Sequence, residues 1–249
     1  MSTDSEFAAD LAERAGALLL KLRAESGLEG KELGKRGDAD SNALLLDLLA
    51  EGRPGDAVLS EEAKDSPARL SADRVWIIDP LDGTREYGMP PRSDWAVHVA
   101  LWERGASGSA ITAAAVAQPS LDTVYATGMS SATTQQRDKP IFLVSDSRPP
   151  AFAEAVADQL GAVLQPMGSA GAKGMAVLRG DADAYLHAGG QWEWDSAAPV
   201  GVALAAGLHA SRVDGSTLTY NAEHPYLPDL IICRADLAQP LLDAIAAAG

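Results

Sequence analysis

The chain has 249 residues, of which 47% are hydrophobic, enough apolar material for one large domain or two smaller ones. Its formal net charge of −15, from 35 acidic and 20 basic residues, disfavours binding to the phosphate backbone of a nucleic-acid polymer. The single cysteine, Cys233, permits no internal disulfide, and no apolar run approaches the roughly 20 residues of a membrane span. Because the N-terminus also lacks the features of a signal peptide, we expect a cytoplasmic protein.

The first half of the chain predicts two helices followed by a run of strands. Apolar residues at helical spacing predict a helix over 7–24 and a second over 41–50, the latter ended by Gly52 and Pro54. Strands are expected in the segments AVLSEEA, VWIID, WAVHVALWE, AITAAAVAQP and TVYATG. Consecutive strands of this kind favour an antiparallel sheet.

The second half of the chain shows a different order of predicted elements. Residues 130–140, SSATTQQRDKP, are polar and rich in breakers, which predicts a linker. After them strands and helices alternate, in the segments IFLVSD, PAFAEAVADQLG, AVLQPM, AGAKGMAVLRG, ADAYLHA, DSAAPVGVALAAG, LIICR and LAQPLLDAIAAAG. This alternation indicates an α/β region. We therefore divide the chain into an N-terminal α+β subdomain, 1–135, and a C-terminal α/β subdomain, 136–249.

Two carboxylates stand at the end of the most apolar predicted strand, in WIIDPLDGT. Residues three apart on a strand face opposite sides, but Pro80 cannot donate to a ladder, so we expect the strand to end there in a turn. Such a turn can bring Asp79, Asp82 and the Leu81 carbonyl to one point. Clustered carboxylates repel one another unless a cation neutralises them, and oxygen ligands suit Mg²⁺. Taken alone, the segment favours a capped, solvated turn, and only its context favours a metal site.

Further acids lie at the boundaries of neighbouring elements. Glu61 and Glu62 follow a strand in LSEEA, where a surface acid pair is the alternative interpretation. Asp195 stands where a helix N-cap is expected, with Pro199 in the first turn, and the free amides of residues 196–198 would form an anion site. An ordinary N-cap is the alternative. Together these acids indicate a multi-metal site that holds a phosphate, as in two-metal phosphoryl transfer.

The segments SEE, WIIDPLDGT and WEWDSAAP, in this order, resemble the signature of the inositol monophosphatase superfamily. The resemblance extends from Ser60 to YLPDLIICR, and DGTREY, GSAGAK and EWDSAAP are most similar to the 3′-phosphoadenosine 5′-phosphate (PAP) phosphatase branch of actinobacterial, CysQ-like type. It implies a layered α-β-α-β-α sandwich of the sugar-phosphatase type with the site between the two halves. It also implies two or three Mg²⁺ ions, inhibition by Li⁺ and, in many members, a homodimer.

The resemblance also assigns roles to individual residues. The implied metal ligands are Glu61, Asp79, Asp82, Asp195 and the Leu81 carbonyl. Thr84 would position the attacking water with help from Glu61, and the amides of Gly83, Thr84 and the helix that starts at Ser196 would hold the scissile phosphate. Family members carry an aspartate on the second helix that orients this threonine. Asp40 is the preferred match over Asp38, and Glu62 is expected to reach a third metal through water.

A substrate with a second phosphate requires basic groups away from the metals. The candidates are Ser147 and Arg148 in VSDSRP, and Ser169 and Lys173 in GSAGAK. Each of these bases has a solvated side chain as its alternative interpretation. Trp192 and Trp194 could stack on an adenine, although core packing is favoured for at least one of them, and His98 is expected in the core or an interface.

The resemblance implies hydrolysis of the 3′-phosphate of PAP to AMP and phosphate in sulfate assimilation, with the phosphosulfate PAPS as a second target. The predicted partner is thus a small phosphorylated nucleotide. Three alternatives remain open on the same residues. These are an inositol-1-monophosphatase, a fructose-1,6-bisphosphatase with the same metal site, and a non-catalytic metal- or nucleotide-binding regulator.

Overall fold

The chain folds into two mixed β-sheets that alternate with three layers of helices. The computed structural model describes residues 2–106, 108–133, 135 and 137–249. The helices are α1 (Asp4–Glu25), α2 (Gly30–Gly52), α3 (Thr84–Tyr87), α4 (Ala153–Leu160), α5 (Ala170–Arg179), α6 (Glu193–Ala205) and α7 (Ala238–Ala248). The strands are β1 (Ala57–Ser60), β2 (Arg74–Asp82), β3 (Ala96–Gly105), β4 (Gly108–Gln118), β5 (Thr123–Ala126), β6 (Ile141–Ser145), β7 (Val163–Met167), β8 (Ala184–Trp192), β9 (His209–Ser211) and β10 (Tyr226–Cys233).

The first sheet has the strand order β1-β2-β3-β4-β5. Strands β2 to β5 pair antiparallel as expected, but β1 pairs parallel with β2, so the expectation of a purely antiparallel sheet is wrong at this edge. The reason is topological, because a crossover over 61–73 connects β1 to β2 where an antiparallel pair would have a hairpin. Parallel pairing places the C-terminal ends of β1 and β2 side by side, with Glu61 following β1 and Asp79 near the end of β2.

The second sheet has the order β7-β6-β8-β10-β9, with β6, β7 and β8 parallel and β10 antiparallel to both of its neighbours. Strand β9 is only three residues long and was not predicted, since so short a segment shows no alternation. Helices α1 and α2 cover the outer face of the first sheet, and α4 and α7 cover the outer face of the second. Helices α5 and α6 form the shared central layer, which confirms the predicted five-layer sandwich.

The core between the two sheets contains residues from both predicted halves, including Ile77, Trp102, Met175, Val200 and Ile232. Thr134 and Gln136 of the predicted linker lie outside the described residues, so the division of the chain after residue 135 stays a prediction. None of the described helices combines the length and apolar character needed to cross a membrane.

Helix α2 starts eleven residues before the predicted Ser41, at Gly30. Its N-terminal half contains glycines, which disfavour a helix by propensity but allow close packing. A Cβ on Gly34 would lie 2.7 Å from Cγ2 of Thr84, and one on Gly37 would lie 2.8 Å from the Tyr87 ring. The longer helix therefore packs directly against the segment that follows Asp82.

Candidate active site

Asp79 and Asp82 project to the same side of the first sheet because β2 contains a bulge. Asp79 pairs with His98 and Asp82 with Ala96, so β2 has one more residue than β3 over this stretch. The extra residue reverses the alternation of the strand and turns both carboxylates to one side. The prediction that Pro80 ends the strand is wrong, because a bulged residue needs no N–H for the ladder. Asp79 Oδ1 accepts a hydrogen bond from the Leu81 amide at 3.0 Å, which fixes the bulge.

Asp195 reaches the same point from the start of α6. The helix begins at Glu193, so Asp195 is its third residue, and the prediction of an N-cap is wrong. The helix starts earlier because the amide of its first residue and the amide of the residue before it both find partners. The Glu193 N–H donates to the Pro225 carbonyl at 3.0 Å, and Asp195 Oδ2 accepts from the Trp192 N–H at 2.6 Å. Pro199 consequently lies inside the helix and not in its first turn.

These side chains form a compact group of carboxylates. One oxygen from each of Asp79, Asp82 and Asp195 lies within 4.8 Å of the others. Glu61, just after β1, adds a fourth carboxylate that interacts with Asp79. We call Glu61, Asp79, Asp82 and Asp195 the acidic cluster.

The electrostatics of the acidic cluster favour the binding of a cation. Burial, followed by the charges of Glu61 and Asp82, raises the pKa of Asp79 well above its ordinary value. Burial and the charge of Asp195 raise the pKa of Glu61 to about 8, and burial and the charge of Asp82 raise that of Asp195 to about 6. Converging carboxylate oxygens that resist ionisation are the donor set of a hard divalent cation. The residues present therefore fit a metal site.

Asp82 differs from its neighbours because donors surround one of its oxygens. Oδ2 accepts from the Ser169 hydroxyl and from the Gly171 amide at 2.7 Å, and it lies 3.2 Å from His98 Nε2. Burial alone would raise the pKa of Asp82, but the His98 charge and these hydrogen bonds lower it to about 2. His98 was expected to be buried, and it is, but sequence reasoning missed its contact with Asp82. The available signal was a polar residue in the middle of an apolar strand.

Thr84 lies directly after the acidic cluster, at the start of α3. Its hydroxyl donates to the Leu81 carbonyl at 3.1 Å, and its side chain also contacts Asp38. Burial and then the charge of Glu62 raise the pKa of Asp38 to about 7. Asp40 points away and pairs with Arg36 at 2.6 Å. The preference for Asp40 is therefore wrong, because residues two apart on a helix face different sides and α2 turns Asp38 inward.

A cleft of about 340 Å³ extends from the acidic cluster across the C-terminal half. Asp82 and Asp195 line it, together with all but one of the residues predicted to bind substrate, namely Gly83, Thr84, Ser147, Arg148, Ser169 and Lys173. The exception is Ser196, which is buried and accepts a hydrogen bond from the Tyr220 hydroxyl at 3.3 Å. Because α6 starts at Glu193, the Ser196 amide belongs to the regular helix, so its predicted contact with substrate is wrong.

The basic residues of the cleft differ in availability. Arg148 is exposed, and its guanidinium has no hydrogen bond or ion pair within the described part of the chain. Lys173 is buried, and its ammonium donates to the carbonyls of Met167, Gly168 and Ser169, the last at 2.9 Å. Burial lowers the pKa of Lys173 to about 8. Arg148 is therefore the better placed of the two to meet a second phosphate.

Arg85 is occupied by an ion pair that joins the two halves of the chain. Its guanidinium donates to both oxygens of Asp146 at 2.6 Å. The two tryptophans considered for adenine stacking differ in burial. Trp194 packs against the core between the sheets, while Trp192 is 40% exposed. Their rings stack with centroids 5.4 Å apart.

Comparisons with known proteins agree with this geometry. Residues 1–247 match the inositol monophosphatase family. The chain is 54% identical to a 3′-phosphoadenosine 5′-phosphate phosphatase of Mycobacterium leprae, over 98% of this chain and 93% of that protein. It is 58% identical to a protein of the same name from Mycobacterium bovis, over 93% and 89% of the two chains. Its fold resembles the crystal structure of CysQ from Bacteroides thetaiotaomicron, with a TM-score of 0.80, 24% identity and coverage of 93% and 97%.

Proposed function

Because the chain belongs to the inositol monophosphatase family, we propose that it is a Mg²⁺-dependent phosphatase that hydrolyses the 3′-phosphate of PAP to AMP and phosphate. One observation favours a substrate with two phosphates, and the relatives named above favour PAP among such substrates. The cleft lined by Asp82 and Asp195 of the acidic cluster also presents Arg148, an exposed cation with no protein partner within the described residues. A substrate with two phosphates uses both features, whereas a monophosphate uses only the first.

The acidic cluster and the Leu81 carbonyl would hold the metal ions. When bound, the ions lower the pKa of water and neutralise charge on the phosphate. The protein supplies the positioning. The Thr84 hydroxyl donates a hydrogen bond to the Leu81 carbonyl. Its oxygen can therefore accept a hydrogen bond from the attacking water. Asp38 lies beside Thr84, where it holds this side chain in place.

The remaining parts of the proposal follow from the resemblance of the motifs. PAPS is a second substrate, Li⁺ inhibits, and Glu62 would reach a third metal ion through water. The enzyme acts in the cytoplasm as a homodimer and removes a by-product of sulfate assimilation.

The test is phosphate release from PAP, inositol 1-phosphate and fructose 1,6-bisphosphate, each with Mg²⁺, with chelator and with added Li⁺. We expect a strong preference for PAP that chelator abolishes. Preference for either sugar phosphate would overturn the substrate while keeping the metal chemistry. Absence of release from all three, together with tight binding of PAP, would instead support a regulator.

A further inference from the structure

Two buried polar side chains in the cleft each have one nitrogen without a hydrogen-bond partner within the described residues. His187 is 6% exposed and Gln191 is 7% exposed, and both line the same cavity as Asp82, Asp195 and Arg148. Nε2 of His187 and Nε2 of Gln191 have no hydrogen-bond partner within the described residues. Buried polar groups in folded proteins are almost always paired, so two such groups facing one cavity indicate a ligand that completes them.

The fold positions both side chains by a bulge in β8. Ala188, Gly189 and Gly190 lie between them, and both glycines have positive φ angles, 93° and 92°. The pairing of β8 with β10 shifts register at this point. A Cβ on Gly190 would lie 2.0 Å from the Tyr226 hydroxyl, so the backbone conformation and the packing both require glycine here. Bulges of this kind redirect side chains next to active sites.

Neither side chain carries charge at neutral pH. Burial, and then the charges of Lys173 and Arg148, lower the pKa of His187 to about 4, so its imidazole is neutral. One imidazole nitrogen of His187 hydrogen-bonds to the Gly190 backbone, which leaves Nε2 for a substrate, and a carboxamide offers a donor and an acceptor side by side. These groups suit the uncharged polar atoms of a substrate, while Arg148 suits a phosphate.

We propose that His187 and Gln191 form the subsite for the nucleoside part of the substrate, with the Gln191 carboxamide paired to the edge of adenine. Gln191 meets the amino group and an adjacent ring nitrogen of adenine, a pairing that carboxamides make in adenine recognition. His187 makes one hydrogen bond elsewhere on the nucleoside. The inference rests on the proposed function, because it assumes a nucleotide substrate. We call Arg148, His187 and Gln191 the recognition residues.

The test compares three substrates in the full-length, Mg²⁺-loaded enzyme. These are PAP, the 3′,5′-bisphosphate of purine riboside, which lacks the amino group, and phenyl phosphate, which has no nucleoside. For Gln191→Leu we expect kcat/KM for PAP relative to phenyl phosphate to fall by about 10- to 100-fold, mainly through KM. The preference of the wild type for PAP over purine riboside bisphosphate should disappear. Gln159→Leu, on the exposed face of α4, is the matched control and should keep the wild-type ratios.

His187→Phe keeps an aromatic ring against Tyr185, whose centroid lies 6.2 Å away, but removes both nitrogens. It should reduce turnover of both nucleotides relative to phenyl phosphate and preserve the preference between them. Equal losses on all three substrates, or unchanged ratios, in both variants would overturn the subsite. Wild-type activity on PAP is read separately. A wild type inactive on PAP overturns the proposed function and the subsite together, whereas an active wild type with unchanged variants overturns only the subsite.

Discussion

Asp82 and Asp195 of the acidic cluster line the same cleft as the recognition residues, but the protein holds the two groups in different ways. Backbone amides hold each of the three aspartates, at donor–acceptor distances of 2.6, 2.7 and 3.0 Å. The Arg148 guanidinium and the Nε2 atoms of His187 and Gln191 have no hydrogen-bond partner within the described residues. Under the proposed function, the groups assigned to the chemistry are thus fixed before substrate arrives, while the groups assigned to substrate selection are completed by it.

The sharpest test of this difference is Asp79→Asn. The amide keeps an oxygen that can accept the Leu81 N–H, so the fold should survive, but the loss of a ligand charge should lower kcat by about 10³-fold or more. The measurement is kcat at saturating Mg²⁺, with a melting curve as the check on folding. Without metal the variant should melt higher than the wild type at alkaline pH, since a crowded carboxylate has been removed.

Asp47→Asn is the matched control, because Asp47 is exposed on α2 away from the cleft. Activity of Asp79→Asn within tenfold of the wild type would show that Asp79 is not a metal ligand.

Asp38 and Asp40 provide the next test, on a single helix. Asp38 is 7% exposed and contacts Thr84, whereas Asp40 pairs with Arg36 on the outside. Asp38→Asn should lower kcat about 100-fold by releasing Thr84, and Asp40→Asn should stay within about twofold of the wild type. The readout is kcat together with KM, because a positioning role leaves KM for PAP nearly unchanged. The reverse order of effects would restore the assignment made from sequence.

This pair of residues also shows what the sequence reveals and what it conceals. Asp79, Asp82 and Gly83 are adjacent in the chain and sit next to a strong apolar run, so local pattern was enough to identify them. The choice between Asp38 and Asp40 depends on the rotation of α2. In that helix Gly34 and Gly37 pack closely against Thr84 and Tyr87, and the low helix propensity of glycine does not reveal such packing.

Two of the three recognition residues could not be identified from sequence for a similar reason. Arg148 lies at the end of a predicted strand and was identified, but His187 and Gln191 were not. Their direction depends on the double-glycine bulge in β8, which the pairing with β10 reveals. The bulge in β2 and the early start of α6 are likewise results of pairing with distant residues. Element type could therefore be predicted from sequence, whereas side-chain direction at the boundaries of elements could not.

The raised pKa values of the acidic cluster predict that metal affinity depends on pH. Because the pKa of Glu61 is about 8 and that of Asp195 about 6, both bind protons that a cation must displace. Mg²⁺ affinity should therefore rise with pH, on the order of tenfold per pH unit for each proton displaced below pH 6. The measurement is Mg²⁺ binding by calorimetry in buffers of different ionisation enthalpy. Affinity that stays constant between about pH 5.5 and 8, with no proton release, would contradict this account.

The raised pKa values of Glu61 and Asp195 also predict how the stability of the metal-free protein changes with pH. A carboxyl with a raised folded-state pKa contributes stability below its ordinary pKa and loses it as pH rises through the folded value. Metal-free protein should thus lose stability between about pH 4 and pH 8, a window set by the raised values of Asp195 and Glu61. Saturating Mg²⁺ should reduce that loss, so the metal-induced shift in melting temperature should grow with pH.

The smallest expected effect concerns the selection of a second phosphate, and it separates the two bases of the cleft. Arg148→Ala should lower kcat/KM for PAP relative to phenyl phosphate by about tenfold, since an exposed guanidinium loses only one charge-assisted contact. Arg14→Ala, an exposed residue of α1, is the control. Lys173→Met should instead reduce turnover of both substrates and the melting temperature, because three carbonyls lose their donor. A selective loss on PAP in the lysine variant and none in the arginine variant would move the second phosphate to Lys173, and the carbonyls around its ammonium would then have to release it on binding.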